Sequence, residues 1–203
     1  MPNEATVFVV DDDPAMRESL RWLIESVGLG VETYPSAQRF LEAYDPAQTG
    51  CLVLDVRMPG MGGLDLQTEL AARKTDLPII VITGYAEVSM AVRAIKGGAI
   101  DFIEKPFNDQ VLLDRIHQAI ETDRRNRGRQ KQDREVAARM QLLTPREREI
   151  LNMVTDGKSN KMIAMALGIS EKTVEVHRSH VMQKMHVTSL ADLVRLTVLA
   201  RGK

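Results

Sequence analysis

Cysteine is almost absent. The single Cys51 excludes an internal disulfide, and its place in the apolar run CLVLD reads as an inert core thiol in a reducing compartment. Long hydrophobic runs are missing too. None approaches the ~18 residues that a membrane span needs, and the opening MPNEATVF lacks the basic flank and apolar stretch of a signal peptide. A cytoplasmic setting with no membrane partner is the expectation. No Cys/His spacing suggests zinc.

What is present is ordinary soluble composition: 203 residues, 44% hydrophobic and 27% charged, enough for one large domain or two small ones. The net charge of -1 conceals an asymmetry. Residues 1–122 carry 19 acidic against 10 basic residues, net -9, and residues 123–203 carry 9 against 17, net +8. Two modules with different partners are expected, the basic one a nucleic-acid candidate.

In the first half TVFVV (6–10), VETY (31–34), CLVLD (51–55), PIIVIT (78–83) and DFIE (101–104) read as strands. Amphipathic stretches such as AMRESLRWLIESVG, GLDLQTELAARK and VSMAVRAIKGGA separate them. This alternation predicts an α/β doubly wound, five-stranded parallel sheet. Asn108 to Ala138 is polar and helix-prone, with no proline and one glycine, Gly128, where a charged helical linker is expected to break. The second half reads as all helix. Thr144, Pro145 and Glu147 form a capping box that opens a helix ending at Gly157, and Ser159, Ser170 and Ser189 stand at N-cap positions. Two helices around Gly168 give a helix-turn-helix. The expected division is a first domain at 1–122, a helical linker at 123–138 and a small all-α domain at 139–203.

Functional crevices of open parallel sheets lie at the carboxyl ends of the strands, where Asp11, Asp12, Asp13, Asp55, Thr83 and Lys105 all fall. Asp13 precedes Pro14 and suits an N-cap with Pro14 at N1. Asp11, Asp12 and Asp55 form an oxygen-rich nest for a hard cation, Mg²⁺ (or Mn²⁺) before Ca²⁺, although caps and turns alone also explain adjacent aspartates. Thr83 and Lys105 favour the cation reading. A carboxylate, a metal, a hydroxyl and a lysine are what a phosphoryl group on Asp55 requires.

VFVVDDDP, LVLDVRMPGMGGLDL, VITG and DFIEKPF resemble the receiver domain of two-component response regulators. LTPREREIL with SNKMIAMALGISEKTVEVHRSHVMQKM resembles the LuxR/NarL-type effector domain, and the pair is similar to the FixJ/StyR-like subgroup over nearly the whole chain. The resemblance implies that Asp55 accepts phosphate from a sensor histidine kinase while Asp11, Asp12 and the backbone carbonyl of Arg57 complete the metal shell. It implies Thr83 and Phe102 as switch residues, Lys105 as phosphate ligand, and a cis Lys105–Pro106 peptide. A phosphorylated homodimer, promoter DNA and RNA polymerase follow as partners, with the last helix, SLADLVRLTVLA, as the dimer contact on DNA. Arg57 and Tyr85 occupy positions that vary in the family and tune phosphate lifetime.

A rival of another class is a haloacid-dehalogenase-like phosphatase with Asp11 as nucleophile, for which Asp11 and Asp13 have the D-x-D spacing. Against it, Ala15 stands where that family has Thr or Val, no second acidic pair follows Lys105, and Asp55 goes unexplained. A ligand-binding quorum sensor shares only the helical half.

On a helical wheel Val181 and Met185 fall within about 20° of Val174, which makes that side core. Lys172, Val176, Ser179 and Gln183 lie opposite, flanked by Glu175 and His180. With Thr173 and Lys184 these are the candidate DNA contacts: Lys172 and Lys184 to phosphate, Glu175 to cytosine, Val176 to a thymine methyl. His177 falls toward the core as a packed, hydrogen-bonded histidine.

Overall fold

In the computed structural model, which describes residues 5–85 and 87–201 (backbone alone from 198), the five apolar runs form parallel strands. They are β1 (Thr6–Val10), β2 (Gly30–Tyr34), β3 (Gly50–Asp55), β4 (Ile79–Thr83) and β5 (Asp101–Glu104), in the order β2-β1-β3-β4-β5. Each lies within a residue of the run that predicts it. The crossovers are α1 (Pro14–Ser26), α2 (Ala37–Ala43), α3 (Gly63–Ala72) and α4 (Val88–Lys96), and α5 (Asp109–Gln141) follows β5. Of these, α2 is the one whose sequence carries little periodic signal; its start is fixed by Ser36, whose hydroxyl accepts from the amide of Arg39 at 3.3 Å.

Parallel strands covered on both faces read as continuous apolar runs, and β3 and β4 are buried throughout. Phe8, Val10, Leu52, Leu54 and Val81 face Phe40 of α2, Leu66 and Leu70 of α3, and Ala94 of α4. Val7, Val9, Cys51, Val53, Ile80 and Ile82 face Leu20 and Ile24 of α1 and Leu112 and Ile116 of α5. Half of the chain's few aromatic rings gather on the first side, where Phe8, Tyr34, Phe40 and Tyr44 pack edge-on or stacked. Cys51 is a free, fully buried thiol whose pKa burial raises far above the ordinary range.

Register decides where the functional side chains emerge. Val10 is level with Leu54, Asp55 with Ile82, Ile82 with Ile103, and Thr83 with Glu104. Asp11, Asp55, Thr83 and Lys105 therefore leave the sheet at one edge. Gly63, the first residue of α3, lets that helix close on the same edge: a Cβ there would stand 2.0 Å from the carbonyl oxygen of Asp55.

The chain divides into two compact units, Met1–Arg127 and Gly128–Lys203. The stretch 123–138, expected as a linker, is shared between them. Asp123 accepts from the amide of Gly50 at 3.0 Å and pairs with Arg127, whose guanidinium also donates to the carbonyls of Pro46, Ala47 and Gln48. Val136 and Met140 join the core of the second unit. The break expected near Gly128 is absent, because helical hydrogen bonding continues unbroken along α5.

The second unit holds α6 (Pro145–Thr155), α7 (Asn160–Leu167), α8 (Glu171–Met185) and α9 (Leu190–Arg201). The capping box of Thr144 and Glu147 is formed, and Ser159, Ser170 and Ser189 each cap the helix that follows. Gly168 takes φ 64° at the turn between α7 and α8, a left-handed conformation that favours glycine. Ile150, Leu151, Ile163, Val174, Val181, Met185 and Leu193 fill the core.

Candidate functional site

The three consecutive aspartates have three different positions. Asp11 is buried; one carboxylate oxygen accepts from the amide of Asp13 at 2.9 Å and the other from Lys105 Nζ at 2.7 Å. Asp12 is exposed at the rim. Asp13 caps α1 as expected, accepting from the amide of Ala15 at 2.9 Å, with Pro14 at N1. Its carboxylate is thereby committed, which takes from the phosphatase reading the second aspartate of its pair.

Asp55, also buried, accepts from Lys105 Nζ at 2.7 Å through Oδ1 and from the amide of Arg57 at 2.7 Å through Oδ2. One ammonium thus spans carboxylates from two strand ends, and the Lys105–Pro106 peptide is cis. Burial raises the pKa of Asp55 and adjacent Asp11 adds to the rise, while Lys105 and the Arg57 amide pull it back; the net shift is upward. Burial alone would lower Lys105, but its bonds to Asp11 and Asp55 outweigh that and hold it above the ordinary lysine range. Thr83, buried at the end of β4, bonds locally: its hydroxyl donates to the carbonyl of Tyr85 at 3.3 Å and accepts from that residue's amide at 3.2 Å. Phe102 on β5 is half-buried against the apolar layer of α2, α3 and α4.

Over this edge Arg57 and Tyr85 meet each other. The guanidinium carbon lies 4.4 Å from the centre of the Tyr85 ring, and Glu87 stands 3.8 Å from the same guanidinium. Sequence reading singled out the first two but not Glu87, because pairing across a loop leaves no periodic signature. On α4, Val88, Val92 and Ile95 are exposed, Ala91 is half-buried and Ala94 is buried.

In the second unit Val174, Val181 and Met185 are buried, as the helical wheel requires. Lys172, Glu175, Val176, Ser179, His180 and Gln183 are exposed, and Thr173 is half-buried with its hydroxyl 2.8 Å from that of Ser170. Two residues differ from expectation. Lys184 is drawn inward, its ammonium 2.7 Å from Oε2 of the buried Glu147. His177 is packed, but its Nδ1 is buried with no hydrogen-bond partner among the described residues. Glu147 does triple duty: its carboxylate accepts from the Thr144 amide at 2.8 Å, pairs with Lys184, and lies 3.8 Å from Nδ1 of His180. Burial works to raise its pKa, and Lys184 with the Thr144 donors overcome that and lower it. No spacing rule reveals this, since Glu147 and α8 meet only through the fold.

Residues 7–117 match the response regulator receiver domain, and residues 141–197 match the luxR family of bacterial regulatory proteins. Nodulation protein W of Bradyrhizobium diazoefficiens is 49% identical over 96% of this chain and 86% of its own length. The transcriptional regulatory protein FixJ of Azorhizobium caulinodans is 47% identical over 98% and 95%. The solved structure of the response regulator StyR superposes with a TM-score of 0.87 at 47% identity, covering 96% of this chain and 98% of that one. FixJ and StyR are regulators, and the phosphatase reading finds no support among these relatives. No helix among the described residues is long and apolar enough to cross a membrane. The chain belongs to the response regulators of the FixJ/LuxR family, transcription factors that join a receiver domain to a luxR-type DNA-binding domain.

Proposed function

We propose that Asp55 is the phosphoacceptor of this regulator, and that its phosphorylation by a sensor histidine kinase controls promoter binding through α8. The observation that carries the reading is the Lys105 ammonium, 2.7 Å from both Asp11 and Asp55 on the edge that also holds Thr83. In the transfer a carboxylate oxygen of Asp55 attacks the phosphorus of a phosphohistidine. The O–P bond forms as the N–P bond breaks, and the electron pair leaves on the imidazole nitrogen. The nucleophile must be ionised, and Lys105 and the Arg57 amide oppose the burial that favours the neutral acid.

Asp11, Asp12, Asp55 and the Arg57 carbonyl are oxygen donors of the kind Mg²⁺ or Mn²⁺ takes, and a dication held there would neutralise phosphoryl oxygens. Once Asp55 carries the group, Lys105 exchanges a carboxylate oxygen for a phosphoryl oxygen. Thr83, bound to the backbone of Tyr85, turns its hydroxyl toward the same group, and Phe102 follows into the space vacated. The exposed Val88, Val92 and Ile95 row of α4 then serves as the surface of a phosphorylated homodimer, which suits a two-fold operator.

On DNA, Lys172 meets phosphate, Glu175 accepts from cytosine, Val176 touches a thymine methyl, and Thr173, Ser179, His180 and Gln183 line the same face. Lys184 contributes mainly by holding Glu147. RNA polymerase is the partner downstream of promoter binding.

Acetyl phosphate labelling tests the assignment. Asp55→Asn abolishes acid-labile label with an unchanged circular dichroism spectrum, and Asp11→Asn retains an acceptor. Label that survives in Asp55→Asn and disappears in Asp11→Asn overturns it.

A further inference from the structure

We propose that Glu147, His177 and His180 form a site for a borderline transition-metal dication, Zn(II) first, in the DNA-binding unit. A carboxylate oxygen and one ring nitrogen from each histidine all lie within 4.8 Å of one another, the group of this kind found among the described residues. His177 and His180 are three apart on α8 and so share a face; Glu147 reaches that face from α6.

Two observations point to a ligand. Among the described residues Nδ1 of His177 is buried without a partner, and buried polar atoms are paired in the great majority of cases because desolvating them unpaired is costly. The carboxylate of Glu147 is also divided. Oε2 takes the Lys184 ammonium and the Thr144 amide, whereas Oε1 faces the imidazole of His180 at 3.8 Å, beyond hydrogen-bond reach. An acceptor oxygen and two imidazoles thus converge, and one of those imidazoles carries a buried nitrogen without a partner among the described residues.

The donor chemistry selects the ion. Imidazole with carboxylate suits Zn(II), Cu(II), Ni(II) or Co(II), and not Mg²⁺ or Ca²⁺. Ligands about 2 Å from a tetrahedral ion stand about 3.3 Å apart, so small rotations of the two imidazoles close the shell. His180 is exposed, which leaves the mouth open for entry and for water as the fourth ligand. Lys184 is the opposing charge. It stays on Oε2, which keeps the capping box intact, and it weakens the ion's hold relative to an unopposed carboxylate.

The test uses the full-length protein, freed of metal by EDTA and titrated with Co(II) while excess Mg²⁺ fills the acidic receiver pocket. Visible d–d absorption is the readout, and Zn(II) is then added as competitor. The expected result is a band that saturates at one equivalent, is abolished by Zn(II), and needs roughly tenfold or more Co(II) in His177→Gln and in His180→Gln. Should His177→Gln fail to fold, His180→Gln decides alone, because that side chain is half in solvent. No saturable band, a band unchanged in the histidine variants, or a band lost in Asp55→Asn and kept in His180→Gln each overturns the proposal.

Discussion

Asp55 sits where burial opposes the charge that the proposed phosphoryl transfer needs. Its pKa is raised by burial first, with Lys105 only partly compensating. A carboxyl whose folded pKa exceeds its unfolded value contributes stability below the unfolded pKa, and that contribution is lost as pH rises through the folded pKa. Above the folded pKa the ionised side chain is therefore a destabilising element. Asp55→Asn removes the charge and leaves Asp11 to hold Lys105, so the receiver should melt roughly 2–4 °C higher at pH 7, with the difference shrinking in acid. Calorimetry at two pH values measures it, and a variant that melts lower at pH 7 contradicts the account.

Arg57 and Tyr85 belong to the same scale. Both side chains are more than half exposed, yet they stack on each other and Glu87 steadies the guanidinium. Hydrolysis of a phosphoryl group on Asp55 needs a water in line with the O–P bond, and this stacked pair, two residues beyond Asp55 and two beyond Thr83, is expected to shield that approach. Decay of the phosphorylated protein should be severalfold faster in Arg57→Asn and in Tyr85→Ala. Because the two form one unit, the double variant should be little faster than either single one. Unchanged decay in both singles removes the shield from the account.

At the scale of elements, the tie between α6 and α8 is Glu147 with Lys184. Glu147→Gln leaves Lys184 without its counter-charge and weakens the capping box, at a cost of about 1–3 kcal/mol to the second unit, less than for a fully buried pair because Lys184 is partly solvated. Glu147 titrates below its ordinary range, so its contribution is complete above the unfolded pKa and is lost as pH falls through the folded one. Urea titrations of wild type and variant should converge in acid.

A second test at this scale concerns α4. Val92→Arg places a charge in the exposed apolar row and should abolish phosphorylation-dependent dimerisation in sedimentation runs while leaving the receiver's melting temperature within about 1 °C. Normal dimerisation removes this face from consideration.

Elements with a strong period were legible in the sequence: all five strands, the capping box, and the core side of α8. The strand-end positions of Asp11, Asp55, Thr83 and Lys105 were legible as well, since parallel sheets place strand ends together. The rest depends on contacts that leave no local trace. The pairing of Glu87 with Arg57 and the inward turn of Lys184 onto Glu147 join residues distant in sequence. The continuity of α5 through Gly128 shows propensity overridden: one glycine costs about 1 kcal/mol in a helix, which Val136 and Met140 offset on one side and the Asp123–Arg127 clamp on the other.

For the whole molecule, separate cores predict separate cooperativity. The receiver core and the α6–α9 core share no residue, so calorimetry should resolve two transitions, of which Asp55→Asn moves only one and Glu147→Gln only the other. The basic second half should bind DNA without phosphate, with affinity falling steeply as salt rises. Turning a population from mostly inactive to mostly active requires the phosphate to favour the active state by about 5.5 kcal/mol. That is within reach of several charge-assisted bonds made by Lys105 and Thr83 together, and not of one alone.

The buried Cys51 makes this regulator unusually convenient to instrument. A thiol sealed between the sheet and its helices, and held in its unreactive protonated form, should ignore maleimides in the native protein. A single cysteine introduced on the surface, at Ser179 or Ser89 for example, would then carry a fluorophore or spin label alone, with no need to delete the native residue. The same seal makes Cys51 a built-in clock: the rate at which it reacts in excess thiol reagent reports how often the receiver opens far enough to expose its central strand.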